Sequence, residues 1–158
     1  TRTATSQLPP SRPDFLRLGG DMPAWLTLTP DPAETGRLAR WLKTLADAAA
    51  WPADLASAVE LCLDEVVTNI AMHGGSAAGD IAIEIDYDAV AVIARVEDGG
   101  AKFDPTAETR PHAQSLDEAK IGGLGLVLVR RLSTEMCYER IGGRNRLTLR
   151  FNLKAGST

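Results

Sequence analysis

Apolar residues change period several times along this chain, and each change marks an element. Trp25-Leu26-Thr27-Leu28-Thr29 alternates apolar with polar, as a half-buried strand does. Asp31-Pro32 then supplies a cap and a first-turn proline, and Leu38, Trp41, Leu42 and Leu45 recur at helical spacing, which predicts a helix to about Ala50. Pro52 opens a second helix. At ~100° per residue, Leu55, Val59, Cys62, Val66 and Ile70 share one face, with Glu60, Asp64 and Thr68 roughly opposite, toward solvent. Glu65, Asn69 and His73 run between the two faces along one i, i+4, i+8 line, where a polar side chain can border a cavity without full burial.

Gly74-Gly75-Ser76 and Gly79 stop that helix. Ile81, Ile83, Ile85 and Tyr87 alternate with polar residues, and Val90, Val92, Ala94 and Val96 do so again after a tight Asp88-Ala89 turn, predicting an antiparallel hairpin. Asp98 shares the parity of the second set, so it faces the core as the strand ends. A core-facing carboxylate needs a partner: either the following turn or a ligand. Residues 101–120 form a long polar stretch with Pro105 and Pro111. That length is unusual without a function. Helical spacing returns from Gly122 to Ser133, and two strands close the chain, about Glu135–Ile141 and Asn145–Leu153. Residues 1–22, with Pro9, Pro10, Pro13, Gly19 and Gly20 and little apolar periodicity, read as a flexible arm before one domain over 23–154.

Composition narrows the function classes. A length of 158 residues suits one domain with a real core. A net charge of −4 argues against a nucleic-acid partner, because binding a phosphate backbone normally leaves a basic face. No apolar run approaches the ~20 residues of a membrane span. No basic stretch leads into an apolar export signal, so a cytoplasmic location is expected. Cys62 and Cys137 lack metal-type spacing and read as core thiols of a reducing compartment.

Candidate chemistry concentrates in three places. Glu65 and Asn69 stand one turn apart; a carboxylate there can activate an attacking hydroxyl, and a carboxamide oxygen can ligate Mg²⁺ beside a triphosphate. Asp98-x-Gly100 joins a carboxylate able to accept from an exocyclic amine with a glycine that lets the backbone approach a base. Gly123-x-Gly125 opens a helix whose N-terminal amides suit phosphate. Each is weak alone, and no GxxxxGK[ST] loop is present. Together they describe an ATP site of another kind. Lys102, Arg110, His112 and Lys120 are solvated loop charges or phosphate contacts, and Trp25, Trp41 and Trp51 are core or dimer-surface residues.

On these residues the chain resembles stand-alone ATP-binding domains of the GHKL superfamily, and within it the anti-sigma-factor serine kinases of the RsbW and SpoIIAB type. Glu65-x-x-x-Asn69-x-x-x-His73 is similar to the family's N box. Asp98-Gly99-Gly100 with Phe103-Asp104-Pro105 is similar to its first glycine box, and Gly122-Gly123-Leu124-Gly125-Leu126 to its second. The likeness runs from about Trp25 to Leu153. It implies an α+β fold of the Bergerat type: a two-layer α/β sandwich with helices on one face of a mixed, mostly antiparallel sheet. It also implies ATP and Mg²⁺ as ligands, a homodimer, and phosphorylation of a serine on a STAS-type anti-sigma-factor antagonist, with a sigma factor as the other partner. Glu65 would then be the catalytic base and Asn69 the magnesium ligand. His73, Asp98, Gly100, Phe103, Gly122, Gly123, Leu124, Gly125, Leu126 and Asn145 would form the nucleotide site. Asn145 stands where many relatives carry threonine, and its amide is expected to take over a water-mediated contact. Two alternatives remain: a non-catalytic, ATP-dependent binding switch, and the ATP-binding fragment of a sensor histidine kinase.

Overall fold

The computed structural model describes residues 22–75, 77–107 and 124–153. Strand β1 (Ala24–Leu28) leads through a short 3-10 turn (Pro32–Glu34) into helix α1 (Thr35–Ala48). The Asp31 carboxylate accepts from the Ala33 amide at 2.9 Å, so the predicted cap forms. α1 ends before Ala50, which takes the left-handed conformation (φ 52°) that breaks a helix ladder. Helix α2 (Ala53–His73) follows directly after Pro52, then β2 (Ile81–Tyr87), β3 (Ala91–Asp98), helix α3 (Leu124–Leu132), β4 (Glu135–Ile141) and β5 (Arg144–Asn152).

The strands form one five-stranded sheet in the order β1-β2-β3-β5-β4. Every pairing is antiparallel. The expected mixed character survives only as strand direction. Two helices return the chain between β1 and β2, so β2 runs back along β1; α3 is the helix described between β3 and β4, and those two strands run the same way with β5 between them. The α+β class is as expected.

One sheet face carries Ile81, Ile83, Ile85, Val92, Ala94, Val96, Leu147, Leu149 and Phe151, and these form a single core with Leu38, Leu42, Val59, Cys62, Leu63, Val66 and Val67 of the helices. α2 packs against both α1 and α3. That flanking leaves Glu60 exposed but makes Asp64 and Thr68 half-buried, where helical spacing alone had placed all three in solvent. Trp51 is in the core, its ring meeting Tyr87 edge-on at 5.6 Å, whereas Trp25 is 60% exposed. Val90 falls in the turn and is exposed, because the turn extends one residue past Ala89. The opposite sheet face holds an ion pair between Arg95 and Glu84 at 2.5 Å, both largely buried, and a second between Arg146 and Glu97.

Burial pushes the Cys62 thiol up to about 12, with the Glu65 charge adding to it; Cys137 is raised by burial and by Glu139 and Asp104. A protonated, enclosed thiol is a poor nucleophile. In the native protein at pH 8 a thiol reagent is expected to modify the half-buried Cys137 first and Cys62 only upon unfolding, as mass spectrometry of partially labelled protein would read out. Ile83, fully buried in the middle of the sheet, should cost about 2–5 kcal/mol when replaced by alanine, measured by urea denaturation.

Candidate nucleotide site

Helix α2 delivers two polar residues to the cavity because its apolar stripe fixes its rotation. Val66 and Cys62 are buried toward the sheet, so Asn69 and His73 come to the border of the helix layer, and both line a cavity of about 450 Å³. The end of β3 and its loop, the inner faces of β4 and β5, and α3 close the rest of that space. Asp98, Phe103, Leu126 and Asn145 line it as well. Six of the residues singled out in sequence therefore share one cavity of a size suited to a small organic ligand. Its walls are mostly apolar, with Ile70, Val96 and Leu147 among them.

Asp98 is only 6% exposed. Its Oδ1 accepts from the Gly100 amide at 2.8 Å and from Asn145 Nδ2 at 3.2 Å. The turn reading of this carboxylate holds, since Oδ1 caps the turn; the carboxylate also borders the cavity, where Oδ2 has no bond among the described residues. Asn145 lies directly opposite Asp98 in the β3–β5 register. Its Nδ2 also donates to the Ala101 carbonyl at 2.9 Å, while Oδ1 accepts from the Tyr138 hydroxyl at 2.6 Å and from Arg140 Nη1 at 2.9 Å. The amide therefore holds Asp98 itself, a contact separate from the water-mediated one expected with a ligand.

Close backbone approach explains two glycines. A Cβ on Gly100 would lie 3.0 Å from the Gly74 carbonyl oxygen and 3.1 Å from its Cα, so the turn after β3 sits against the end of α2. Gly99 continues that contact, its amide donating to the Ala78 carbonyl at 2.8 Å. At Gly125, in the first turn of α3, an added Cβ would collide with the Glu65 carboxylate. Glu65 is half-buried and stands outside the cavity lining, against the start of α3. Gly122 and Gly123 lie outside the described residues, as do Arg110, His112 and Lys120; the Leu124 backbone opens α3. Lys102, read from the sequence as a solvated loop charge or a phosphate contact, lines the cavity, and so does Tyr138, which had no assigned role. Tyr138 was recoverable: Gly142-Gly143 forms a two-residue turn, both φ positive at 57° and 76°, and counting across it puts Arg140 opposite Asn145 and Tyr138 two residues further along the same face.

An acceptor in the wall of an apolar cavity, with a helix start and a second carboxylate outside its lining, suits a purine nucleotide. Residues 28–151 match the family model described as the histidine kinase-like ATPase domain. The chain belongs to this family. As a member of the histidine kinase-like ATPase domains it binds ATP. It is 38% identical over 112 residues to the serine/threonine-protein kinase BtrW of Bordetella bronchiseptica, a match covering 69% of this chain and 79% of that protein. The fold is similar to that of the RsbU and RsbW domains of a Mycobacterium tuberculosis protein, with a TM-score of 0.61 at 16% identity, over 85% of this chain and 34% of that one. The chain thus spans about a third of that longer protein. A second similar structure is the SiaB–SiaC complex of Pseudomonas aeruginosa, with a TM-score of 0.52 at 17% identity, over 81% of this chain and 89% of the matched one. No helix among the described residues is long and apolar enough to cross a membrane.

The glycine contacts give opposite expectations for stability. Gly100→Ala meets rigid backbone and should lose about 1–3 kcal/mol. Gly125→Ala meets only the end of a flexible side chain, and alanine favours the helix, so its stability should stay within about 1 kcal/mol of wild type. Urea denaturation of the two variants side by side checks both.

Proposed function

We propose that the protein is an ATP-dependent protein-serine kinase that acts as a partner switch: it phosphorylates a serine on a small STAS-type antagonist and, when that antagonist is unphosphorylated, exchanges it for a sigma factor or another regulated protein. The observation that carries this reading is the placement of Glu65. Its carboxylate lies against the first turn of α3, outside the cavity lining and one helical turn from Asn69, which lines it. The 38% identity to a serine/threonine-protein kinase supports the same reading, and favours it over a fragment of a sensor histidine kinase. The Pseudomonas neighbour was solved with a protein partner, which supports a protein substrate.

In this mechanism Asp98 accepts a hydrogen bond from the adenine amine through Oδ2, and the apolar cavity walls exclude water from the base. Phosphates leaving the cavity pass the amides at the start of α3. Glu65 orients the incoming serine and takes its proton as the hydroxyl attacks the γ-phosphorus, while ADP departs. Asn69 lines the cavity, and its amide oxygen would hold Mg²⁺, with phosphates and water completing the shell. That ion would neutralise developing phosphate charge. Formation of a homodimer and a cytoplasmic location belong to the same reading.

Transfer of labelled phosphate from ATP·Mg²⁺ to a candidate antagonist tests the proposal. Wild type should phosphorylate a serine, and Glu65→Gln should lower the rate by about 10²–10⁴-fold while leaving ATP affinity intact. Gly125→Ala should also slow transfer, since its methyl displaces Glu65. Asp98→Asn should weaken ATP binding by about 1.5–3 kcal/mol in calorimetry. ATP binding without transfer to any serine would replace the kinase by a non-catalytic binding switch. Equal losses of affinity in Asp98→Asn and Glu65→Gln would sink the separate roles given to the two carboxylates.

A further inference from the structure

We propose that Tyr138 and Arg140 are positioning residues for base selectivity: they lock the Asn145 carboxamide in the orientation that keeps Asp98 a hydrogen-bond acceptor, so that the site prefers a 6-aminopurine to a 6-oxopurine. This rests on the adenine-nucleotide reading above and adds to it the element that sets the polarity of base recognition.

The two ends of a carboxamide have nearly the same shape, so only their partners decide which way it points. Around Asn145 those partners are unambiguous. Arg140 has donors only, and its Nη1 lies 2.9 Å from Oδ1. The Ala101 carbonyl is an acceptor only, and lies 2.9 Å from Nδ2. The Phe103 amide, another obligate donor, is 3.4 Å from Oδ1. The Tyr138 hydroxyl completes the set at 2.6 Å. Arg140 is itself anchored, since the same Nη1 donates to the Gly100 carbonyl at 2.8 Å. Asn145 is 7% exposed, so water does not substitute freely for any of them.

The consequence falls on Asp98. In this orientation Nδ2 donates to Asp98 Oδ1, which also accepts from the Gly100 amide. Two donors occupy that oxygen and leave Oδ2 as an acceptor for the ligand. Turned over, the amide would set its own oxygen against Asp98 Oδ1 and the Ala101 carbonyl, three acceptors together in a buried place. Asp98 could not keep its carboxylate in place as an acceptor beside that arrangement. An acceptor selects the 6-amino group of adenine; a donor selects the 6-oxo group of hypoxanthine or guanine. The network on β4 therefore fixes the sign of the contact. The register that brings it there comes from the two-residue Gly142-Gly143 turn, which pairs Arg140 with Asn145.

The test compares ATP with inosine triphosphate by calorimetry on the full chain. The two share sugar and phosphates and differ at purine position 6, so a general disturbance of the site weakens both and leaves their ratio unchanged. Wild type is expected to prefer ATP by ~10-fold or more. Tyr138→Phe/Arg140→Met should cut that preference by ~5-fold or more, and Asn145→Asp, which sets a carboxyl against Asp98, should cut it as well. If the double variant fails a thermal-melt check, Tyr138→Phe alone removes one oxygen from an edge strand and should still lower the ratio by ~2-fold. Variants that weaken both nucleotides equally would assign the pair a purely structural role and overturn the proposal. Equal affinity of wild type for the two nucleotides would overturn it too, leaving nucleotide binding in place, whereas binding of neither would overturn the adenine reading on which it rests.

Discussion

A buried carboxylate at the end of the central strand is the constraint around which this domain is arranged. Asp98 is held on the core side of β3 by the alternation that buries Val92, Ala94 and Val96. It must then find donors where water is scarce. The chain supplies them from two distant points, the Gly100 amide two residues on and the Asn145 amide across the sheet. Those two bonds tie the turn after β3 to β5, and through Asn145 to Tyr138 and Arg140 of β4. The satisfied charge thus joins three neighbouring strands at the edge of the cavity.

The helix layer meets this arrangement through backbone rather than side chains. α2 ends at Gly74, and the turn at Gly99-Gly100 lies against it with no room for a Cβ. This contact sets the depth of the cavity, because it fixes how far the polar end of α2 stands from Asp98. A similar approach at the other end of the site, Gly125 against Glu65, sets where α3 begins relative to the proposed base. Gly100 is thus a spacer between rigid backbone segments, whereas Gly125 leaves room for the Glu65 side chain.

Much of this was legible in the order of residues. Periodicity located the helices and strands to within a few positions, and parity placed Asp98 on the core side before any neighbour was known. The line Glu65, Asn69, His73 followed from helical spacing alone. Less legible was whatever depended on cross-strand neighbours. Sequence spacing relates a residue to its own element, while Tyr138 and Arg140 acquire their roles from pairing with β5. Likewise, the partial burial of Asp64 and Thr68 comes from α1 and α3 on either side of α2, which no single-helix projection contains. The turn at Gly142-Gly143 was the exception, since a two-residue hairpin carries its register within it.

The strand order also sets when the site comes into being during folding. β2 and β3 close through a short turn, and so do β4 and β5. Each hairpin is a local event with little loop entropy to overcome. Asp98 belongs to the first hairpin and Asn145 to the second, and they meet only when β3 zips to β5 across the long intervening stretch of chain. The closure of greatest sequence separation on that side of the sheet is therefore the one that assembles the base-binding pair. A ligand that engages Asp98 binds only molecules in which this late, non-local step is complete, and by mass action it draws the folding equilibrium toward them.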